Sequence, residues 1–397
     1  MGGESAARRG KGIGQFYLFY GLVYVTTACN SVLSVYYDAA GLTATQIGQV
    51  LAMGAVMGFL AQPVWGWAGD HSRSKMRLVQ LLVLAMIVVI SLIQLNNTFP
   101  YIIVMASLFY FFLKPLNPMV DSVAIEYLDS VGGSYSRARA CGPIGYGLTT
   151  LVTGALMDRS AGNVFYVLLA ALGVLAVLCF FMPVVPGRQS SAAQGKKASM
   201  WLLFRDRELV VLLVTFVLMQ VSNNFYHNFL PLFYQELGGD NTLMGIGLAI
   251  CAASEAPVLF FADRIWRRMG TRNMFLMCGA VMTFRHFGMA FINSPYLIFV
   301  LDTTHAFCFA ATSFALARYV ATSVIPELRT SGQMMIWGLA LSCANVTSSL
   351  AGGSLIDLFG RVQPLYLFTG SICLALVVGL FIYCRIFAPP AAIQKMQ

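Results

Sequence analysis

Long apolar runs separated by short polar breaks dominate the pattern of this chain. A helix that crosses a bilayer needs about 20 mostly apolar residues, because the hydrocarbon core is about 30 Å thick and an α-helix rises about 1.5 Å per residue. The runs have this length, and they lack the polar face that a helix on a soluble protein shows. The pattern therefore predicts twelve membrane-spanning helices, spans 1 to 12, at residues 13–37, 45–68, 76–95, 100–127, 138–157, 163–185, 208–236, 242–262, 272–292, 296–322, 330–356 and 363–387.

The composition agrees with an all-α membrane protein. Of the 397 residues, 58% are hydrophobic and 10% are charged, whereas about 25% charged residues is typical of soluble domains. A soluble fold of this length could not bury so much apolar surface. We therefore expect an integral, multi-pass protein in the lipid bilayer, a monomer, in the plasma membrane rather than an organelle membrane.

The basic residues predict the orientation, since cytoplasmic loops are enriched in Lys and Arg. The breaks after the odd-numbered spans hold only Arg159 and Arg361. The N-terminal segment and the breaks after spans 2, 4, 6, 8 and 10 hold Arg8, Arg9, Lys11, Arg73, Lys75, Arg77, Arg137, Arg139, Arg188, Lys196, Lys197, Arg205, Arg207, Arg264, Arg267, Arg268, Arg272 and Arg329. Both termini are predicted to be cytoplasmic. This topology accounts for the net charge of +9, so no nucleic-acid partner is expected.

The two halves of the chain resemble each other. For any single pair of similar segments, chance likeness among Gly-rich apolar helices is a serious alternative, but three pairs in the same order favour a repeat. The pairs are Tyr37-x3-Gly41-x3-Thr45-x2-Gly48 with Tyr234-x3-Gly238-x3-Thr242-x2-Gly245, Pro63-Val64 with Pro257-Val258, and Gly154-Ala-Leu-Met-Asp158 with Gly353-Ser-Leu-Ile-Asp357.

Both copies start on the same side of the membrane, so the repeat is parallel. We predict two six-helix bundles, at residues 1–185 and 208–397, joined by a cytoplasmic linker at 186–207. Two similar bundles can rock about a site between them and expose it to each side in turn. This arrangement favours a solute transporter.

Several local motifs resemble the major facilitator superfamily over essentially the full chain. One is the loop after span 2, with Gly66, Asp70, Arg73, Lys75 and Arg77; it departs from the family pattern at His71 and Arg73. Others are Ser254-Glu255-Ala256-Pro257, Arg285, His305 and Pro326-Glu327-Leu328-Arg329, which are similar to the branch containing lactose permease, nucleoside proton symporters and phenylpropionate-permease-like proteins. The resemblance implies the twelve-helix fold and proton-coupled uptake. The resemblance does not predict the substrate, because the substrates of that branch are chemically diverse.

Spans 8 to 10 contain ionisable residues, among them Glu255, Arg285, Asp302 and His305, and a charge within a span is costly unless it has a partner or faces water. We hypothesise that the Glu255 carboxylate binds the proton or the solute and that Arg285 is its charge partner. His305, with Asp302, would orient these groups or relay the proton. An acid, an Arg and a His in matching spans of the lactose-permease branch support this set by resemblance. The alternative is a static polar cluster that fixes helix packing.

Other polar residues are candidates for solute binding or gating. The solute candidates are Lys114 beside two prolines in span 4, Asn224 and His227 in polar span 7, Asn30 opposite them in the repeat, and the aromatic residues Tyr24 and Trp337. A packing kink is the alternative for Lys114, and packing or interfacial anchoring for the aromatic residues. The family resemblance suggests a cytoplasmic gate at Asp70, Asp121, Arg137 and Arg139, for which a solvated rim is the alternative.

The chain has no P-loop, GxSxG or HExxH motif and no cluster with metal-ligand spacing. We therefore expect neither an enzyme nor a bound cofactor or metal. The leading hypothesis is a secondary-active transporter: proton-coupled symport of a small polar solute of the sugar, nucleoside or aromatic-acid type, by alternating access. The alternatives are an uncoupled facilitator of the same fold and a non-transporting membrane sensor or assembly subunit. Two basic and two acidic embedded residues leave the expected cavity near neutral, which favours a neutral or zwitterionic solute.

Overall fold

The computed structural model describes residues 13–131, 135–183, 205–323 and 335–386, and these residues form helices joined by short turns. In the first half the helices are Ile13–Ser31 and Leu33–Ala39 (span 1), Ala44–His71 (span 2), Lys75–Ile93 (span 3), Phe99–Leu113 and Leu116–Val131 (span 4), Tyr135–Met157 (span 5) and Asn163–Phe181 (span 6). In the second half they are Arg207–Glu236 (span 7), Asn241–Phe291 (spans 8 and 9), Pro295–Asp302 with the π-helical turn Phe307–Ala311 and Thr312–Ser323 (span 10), the π-helical turn Met335–Ala340 with Leu341–Phe359 (span 11), and Gln363–Ile386 (span 12).

The polar breaks in the sequence supply the helix caps. At the start of span 2, the Thr43 hydroxyl accepts a hydrogen bond from the Gln46 backbone N–H, and the Gln46 side chain accepts one from the Thr43 N–H. Asp240 caps span 8 by accepting from the Leu243 N–H at 2.7 Å. Such caps satisfy N–H groups that have no partner inside a helix. They explain why the helices begin close to the predicted positions.

Among the described residues, ten helices are long and apolar enough to cross a membrane. One of them, Asn241–Phe291, contains two predicted spans, since Gly270 (φ 73°, ψ 170°) breaks the helix into two arms. Tyr135–Met157 is outside this set because it carries Arg137, Arg139 and several Gly and Thr residues. Where the structure describes them, all twelve predicted spans nevertheless overlap helix, and the count of twelve membrane crossings stays a prediction. The all-α class is confirmed.

Spans 4 and 10 are interrupted where the sequence places polar residues. The first helix of span 4 ends at Leu113 and the second starts at Leu116, because Pro115 has no N–H to continue the ladder. In span 10 the π-helical turn frees the Cys308 carbonyl, which accepts a hydrogen bond from the Gln220 side chain at 3.1 Å. These breaks bring irregular backbone to the middle of the bundle, where a protein partner must satisfy it.

The two halves meet through two equivalent helix pairs, span 2 with span 11 and span 5 with span 8. A Cβ atom at Gly48 would collide with the carbonyl oxygen of Ser349, and one at Gly245 would collide with that of Thr150. Only glycine permits such close helix contact. The repeated motif also contains Gly41 (φ 86°) in the turn after span 1, and its counterpart in the turn after span 7 has the same left-handed backbone.

Aspartates at the ends of spans 5 and 11 complete this junction. Asp357 accepts from the backbone N–H groups of Ala44 (3.0 Å) and Thr45 (2.8 Å) at the start of span 2. In the same way, Asp158 accepts from the N–H groups of Asn241 (2.7 Å) and Thr242 (3.2 Å) at the start of span 8. A carboxylate is favoured at a helix N-terminus. Each half therefore caps a helix of the other half.

These junctions lie at one end of the bundle. The Lys- and Arg-rich loops after the even-numbered spans lie at the other end, which we call the basic face. We call the end with the junctions the opposite face. At the basic face, the ion pairs between described residues include Lys75–Glu126, Arg272–Glu208 and Arg318–Asp263, and each joins helices of the same half. The division into bundles 1–185 and 208–397 stays a prediction, and most of the predicted linker lies outside the described residues.

Candidate functional site

A cavity of about 530 Å³ lies between the two halves. Spans 1, 2, 4 and 5 form one wall, and spans 7, 8, 10 and 11 form the other. Its volume is within the range of about 300–1,000 Å³ that is usual for small-molecule sites. The cavity can therefore hold a small organic solute.

Five of the six residues predicted to bind solute line this cavity: Tyr24, Asn30, Lys114, Asn224 and His227. They come from spans 1, 4 and 7, so the fold brings together positions that are far apart in the chain. The side chain of the sixth, Trp337, lies outside the described residues. Their role in binding stays a prediction.

Amide groups give the cavity its polar character. Asn228 donates to the Ser349 hydroxyl at 2.8 Å, and that hydroxyl donates to the Asn345 side-chain oxygen at 3.1 Å. The side-chain oxygens of Asn30 and Asn223 are buried and have no hydrogen-bond partner among the described residues. A buried polar atom normally has a partner, so these two amides in the cavity wall keep hydrogen-bonding capacity that the described residues do not use.

Arg285 and Asp302 form a sealed ion pair behind the cavity wall. Their side chains are 1% and 0% exposed, and Arg285 Nη2 lies 2.8 Å from Asp302 Oδ1. The Tyr226 hydroxyl donates to the same carboxylate oxygen, and its ring centroid lies 3.9 Å from the guanidinium carbon. A buried pair needs this kind of geometry and additional bonds to offset the loss of water. The arrangement holds both charges in place.

Glu255 and His305, in contrast, line the cavity. Glu255 Oε1 lies 3.4 Å from His305 Nε2, and the Glu255 side chain is 28% exposed. On the other side of the ring, His305 Nδ1 lies 3.2 Å from Arg285 Nη1. A guanidinium can only donate, so Nδ1 accepts and a neutral ring carries its proton on Nε2, the ring nitrogen that lies 3.4 Å from Glu255. Glu255 is thus the embedded carboxylate that the cavity can reach.

This pairing differs from the expectation. Arg285 was predicted to be the charge partner of Glu255, but in the structure Arg285 pairs with Asp302 and Glu255 contacts His305. The sequence predicts how deep in the membrane each of these residues lies along its span. It does not give the rotation of spans 8, 9 and 10 about their axes, and this rotation selects the partners.

The predicted gate residues are in the first half. Asp121 accepts from the Tyr20 hydroxyl at 2.6 Å and from Arg139 at 3.0 Å, and Arg139 is 50% exposed. Arg137 is exposed, and the side chain of Asp70 lies outside the described residues. The contacts of Asp121 join spans 1, 4 and 5 and do not cross to the second half. A gating role stays a prediction.

The cavity also contains residues that the sequence analysis did not select. Tyr110, Tyr146, Ser31 and Asn345 all line it, and the Tyr146 hydroxyl donates to the Ser31 hydroxyl at 3.0 Å. Asn345 is an amide within an apolar span, and that signal could have identified it. The tyrosines have no comparable signal, since tyrosine is common in membrane helices as a packing or interfacial residue.

The helical bundle, the repeated junction and the central cavity define an integral, multi-pass membrane transporter of the major facilitator type, and not an enzyme. The chain belongs to the MFS_1 like family, whose model matches residues 14–368.

Individual relatives and solved structures agree with this assignment. The chain is 31% identical to the maltose permease of Geobacillus stearothermophilus over 379 residues, which cover 92% of each chain. It is 26% identical to a probable 3-phenylpropionic acid transporter of Escherichia coli (strain K12), over 72% of this chain and 76% of the relative. The crystal structure of the nucleoside transporter NupG matches with a TM-score of 0.82 at 14% identity, covering 93% of this chain and 98% of that chain.

Proposed function

We propose that this chain is a proton-coupled symporter that moves a small hydroxylated solute, such as a sugar, by alternating access. Its two bundles rock about the central cavity, with both termini and the basic face in the cytoplasm. It acts as a monomer in the plasma membrane. The contact between Glu255 and His305 in the cavity wall is the observation that carries this proposal.

Glu255 is the proton-binding group in this mechanism. A proton carrier must be reachable from the solute path and must be able to exist in both charge states. Glu255 is partly exposed to the cavity and contacts a neutral donor, whereas Asp302 is closed off by Arg285 and Tyr226. His305 positions the Glu255 carboxylate and links it to the Arg285 charge. The Arg285–Asp302 pair is then a fixed support for His305.

The solute class follows from the cavity wall. The unpartnered oxygens of Asn30 and Asn223 accept from hydroxyl groups, and Tyr24 and Tyr146 supply ring faces. A maltose permease is 31% identical to this chain. These features favour a sugar-like solute over a purely apolar one.

The junctions at the opposite face provide the gate for alternating access. Both contain a capped helix start, through Asp158 and Asp357, and both join the two halves. Separation of the halves there releases these caps and the glycine contacts at Gly48 and Gly245. The cavity then opens at that face while the basic face closes.

The test uses purified full-length protein in proteoliposomes, with radiolabelled maltose as the probe and an imposed pH gradient. We expect Glu255→Gln to abolish gradient-driven accumulation while maltose exchange continues, because the variant cannot release a proton. The matched control is Glu208→Gln, which removes a carboxylate paired with Arg272 at the basic face. It should accumulate maltose as the wild type does.

Three results would contradict the proposal. Accumulation by Glu255→Gln at the wild-type level would remove the proton role. Wild-type uptake that equilibrates but ignores the gradient would indicate an uncoupled facilitator. Uptake no greater than that of empty liposomes, for maltose, sucrose, uridine and 3-phenylpropionate alike, would indicate a sensor or assembly subunit.

A further inference from the structure

Lys114 is a basic residue in the cavity wall that the first half of the chain forms. It stands at the interruption of span 4, between the helices that end at Leu113 and begin at Leu116. Its side chain packs against Gly58, where a Cβ atom would collide with Lys114 Cγ, and its ammonium lies 5.6 Å from the ring centroid of Tyr110. The stem is therefore held by its neighbours while the ammonium faces the cavity.

No carboxylate among the described residues pairs with Lys114, in contrast to the arginines nearby. Arg285 is neutralised by Asp302 at 2.8 Å, and Arg139 by Asp121 at 3.0 Å. A lysine inside a membrane protein is costly unless it has a partner. Such a cation, held without a partner in a solute cavity, is suited to bind an anionic group of the solute.

We propose that Lys114 determines specificity by binding a carboxylate of the transported solute. The preferred solute is then a small organic acid with hydroxyl or ring groups, such as a sugar acid, which binds more tightly than the corresponding neutral sugar. This inference rests on the proposed function, in which Glu255 binds the coupling proton. It replaces the expectation of a neutral or zwitterionic solute, because Arg285 and Asp302 cancel each other, and a proton on Glu255 then leaves the Lys114 ammonium without a countercharge.

The charges are balanced in both states of the cavity. Without solute, the Glu255 carboxylate and the Lys114 ammonium face the same water-filled space with opposite charges. When a proton binds Glu255, the ammonium is left unbalanced, and a solute carboxylate restores neutrality. The groups around Glu255 do not change this balance, since His305 is a neutral donor, the ring of His227 packs against the ring of His305, and Arg285 is neutralised. Proton and anion therefore bind together.

The experiment measures dissociation constants for pairs of solutes that differ only in a carboxylate or an alcohol. The pairs are maltobionate with maltitol, D-gluconate with D-glucitol, and 3-phenylpropionate with 3-phenylpropanol. Binding to the purified full-length protein is followed by intrinsic fluorescence and by thermal shift. The variants are Lys114→Met, which keeps the stem and removes the charge, and Lys114→Arg, which keeps the charge.

We expect at least one acid to bind the wild type about tenfold or more tightly than its alcohol, since a hydrogen bond between charged partners is stronger than one to a neutral hydroxyl, and tenfold corresponds to about 1.4 kcal/mol. Lys114→Met should remove this preference, and Lys114→Arg should restore most of it. A wild type that prefers no acid over its alcohol, or a preference that survives Lys114→Met, overturns the inference.

The two proposals fail in different ways. Gradient-driven accumulation of maltose without any preference for acids would overturn the role of Lys114 and leave the symport proposal intact. A Lys114-dependent preference for an acid, together with transport of that acid that ignores the pH gradient, would support the role of Lys114 and overturn the symport proposal.

Discussion

Replacing Asp302 by Asn should be strongly destabilising, because it leaves the Arg285 guanidinium buried without its countercharge. Both side chains are at most 1% exposed, so water cannot substitute for the lost carboxylate. Breaking a buried pair by removing one partner costs about 3–5 kcal/mol. The ring of Tyr226 and the contact with His305 remain, which places the expected loss of unfolding free energy near the lower end, at about 3 kcal/mol.

The assay is unfolding of the purified protein in one detergent, for the wild type, Asp302→Asn, Arg285→Met and the double variant Arg285→Met/Asp302→Asn. The double variant removes both charges, so it should be more stable than the sum of the single losses predicts. Wild-type stability of Asp302→Asn combined with loss of gradient-driven accumulation would refute the reasoning. It would show that Asp302 handles the proton.

Two further predictions concern the junction at the opposite face, and both are measured as the free energy of unfolding. Gly48→Ala should cost about 1–3 kcal/mol, because its methyl group meets the Ser349 carbonyl. The control is Gly66→Ala, whose methyl group meets nothing within 4 Å and should change stability little. Equal effects of the two substitutions would contradict the close contact at Gly48. Asp357→Asn should cost about 0.5–1 kcal/mol by weakening the hydrogen bonds from the N–H groups of Ala44 and Thr45, and an unchanged value would mean that this cap contributes nothing.

Much of the fold could be predicted from the residues, because bilayer thickness imposes a length on each apolar run. The repeated Tyr-Gly-Thr-Gly motif was visible as a pattern before its physical cause was known. The structure supplies that cause: Gly41 adopts a left-handed turn, and Gly48 allows backbone contact with Ser349. The interruption of span 4 at Lys114 was also foreseeable, since Pro115 cannot continue a helix.

The candidate site was predictable only as a set of residue types. A lysine or histidine within an apolar span is unusual enough to be noticed, and Lys114, His227 and His305 do line one cavity. Tyr110 and Tyr146, which line the same cavity, carry no such signal. Their position depends on which side of the helix they occupy relative to neighbours elsewhere in the chain.

The sequence alone predicted the membrane class, the helix positions and the parallel repeat, since each depends on local length, polarity and spacing. The charge partners depended on the assembled bundle: Arg285 with Asp302, Glu255 with His305, and Lys114 with no carboxylate among the described residues. Each residue turns a helix by about 100°, so a small rotation about the axis changes which side chain faces the cavity and which faces another helix. Those rotations are set by packing between helices that lie far apart in the chain, and local sequence does not encode them.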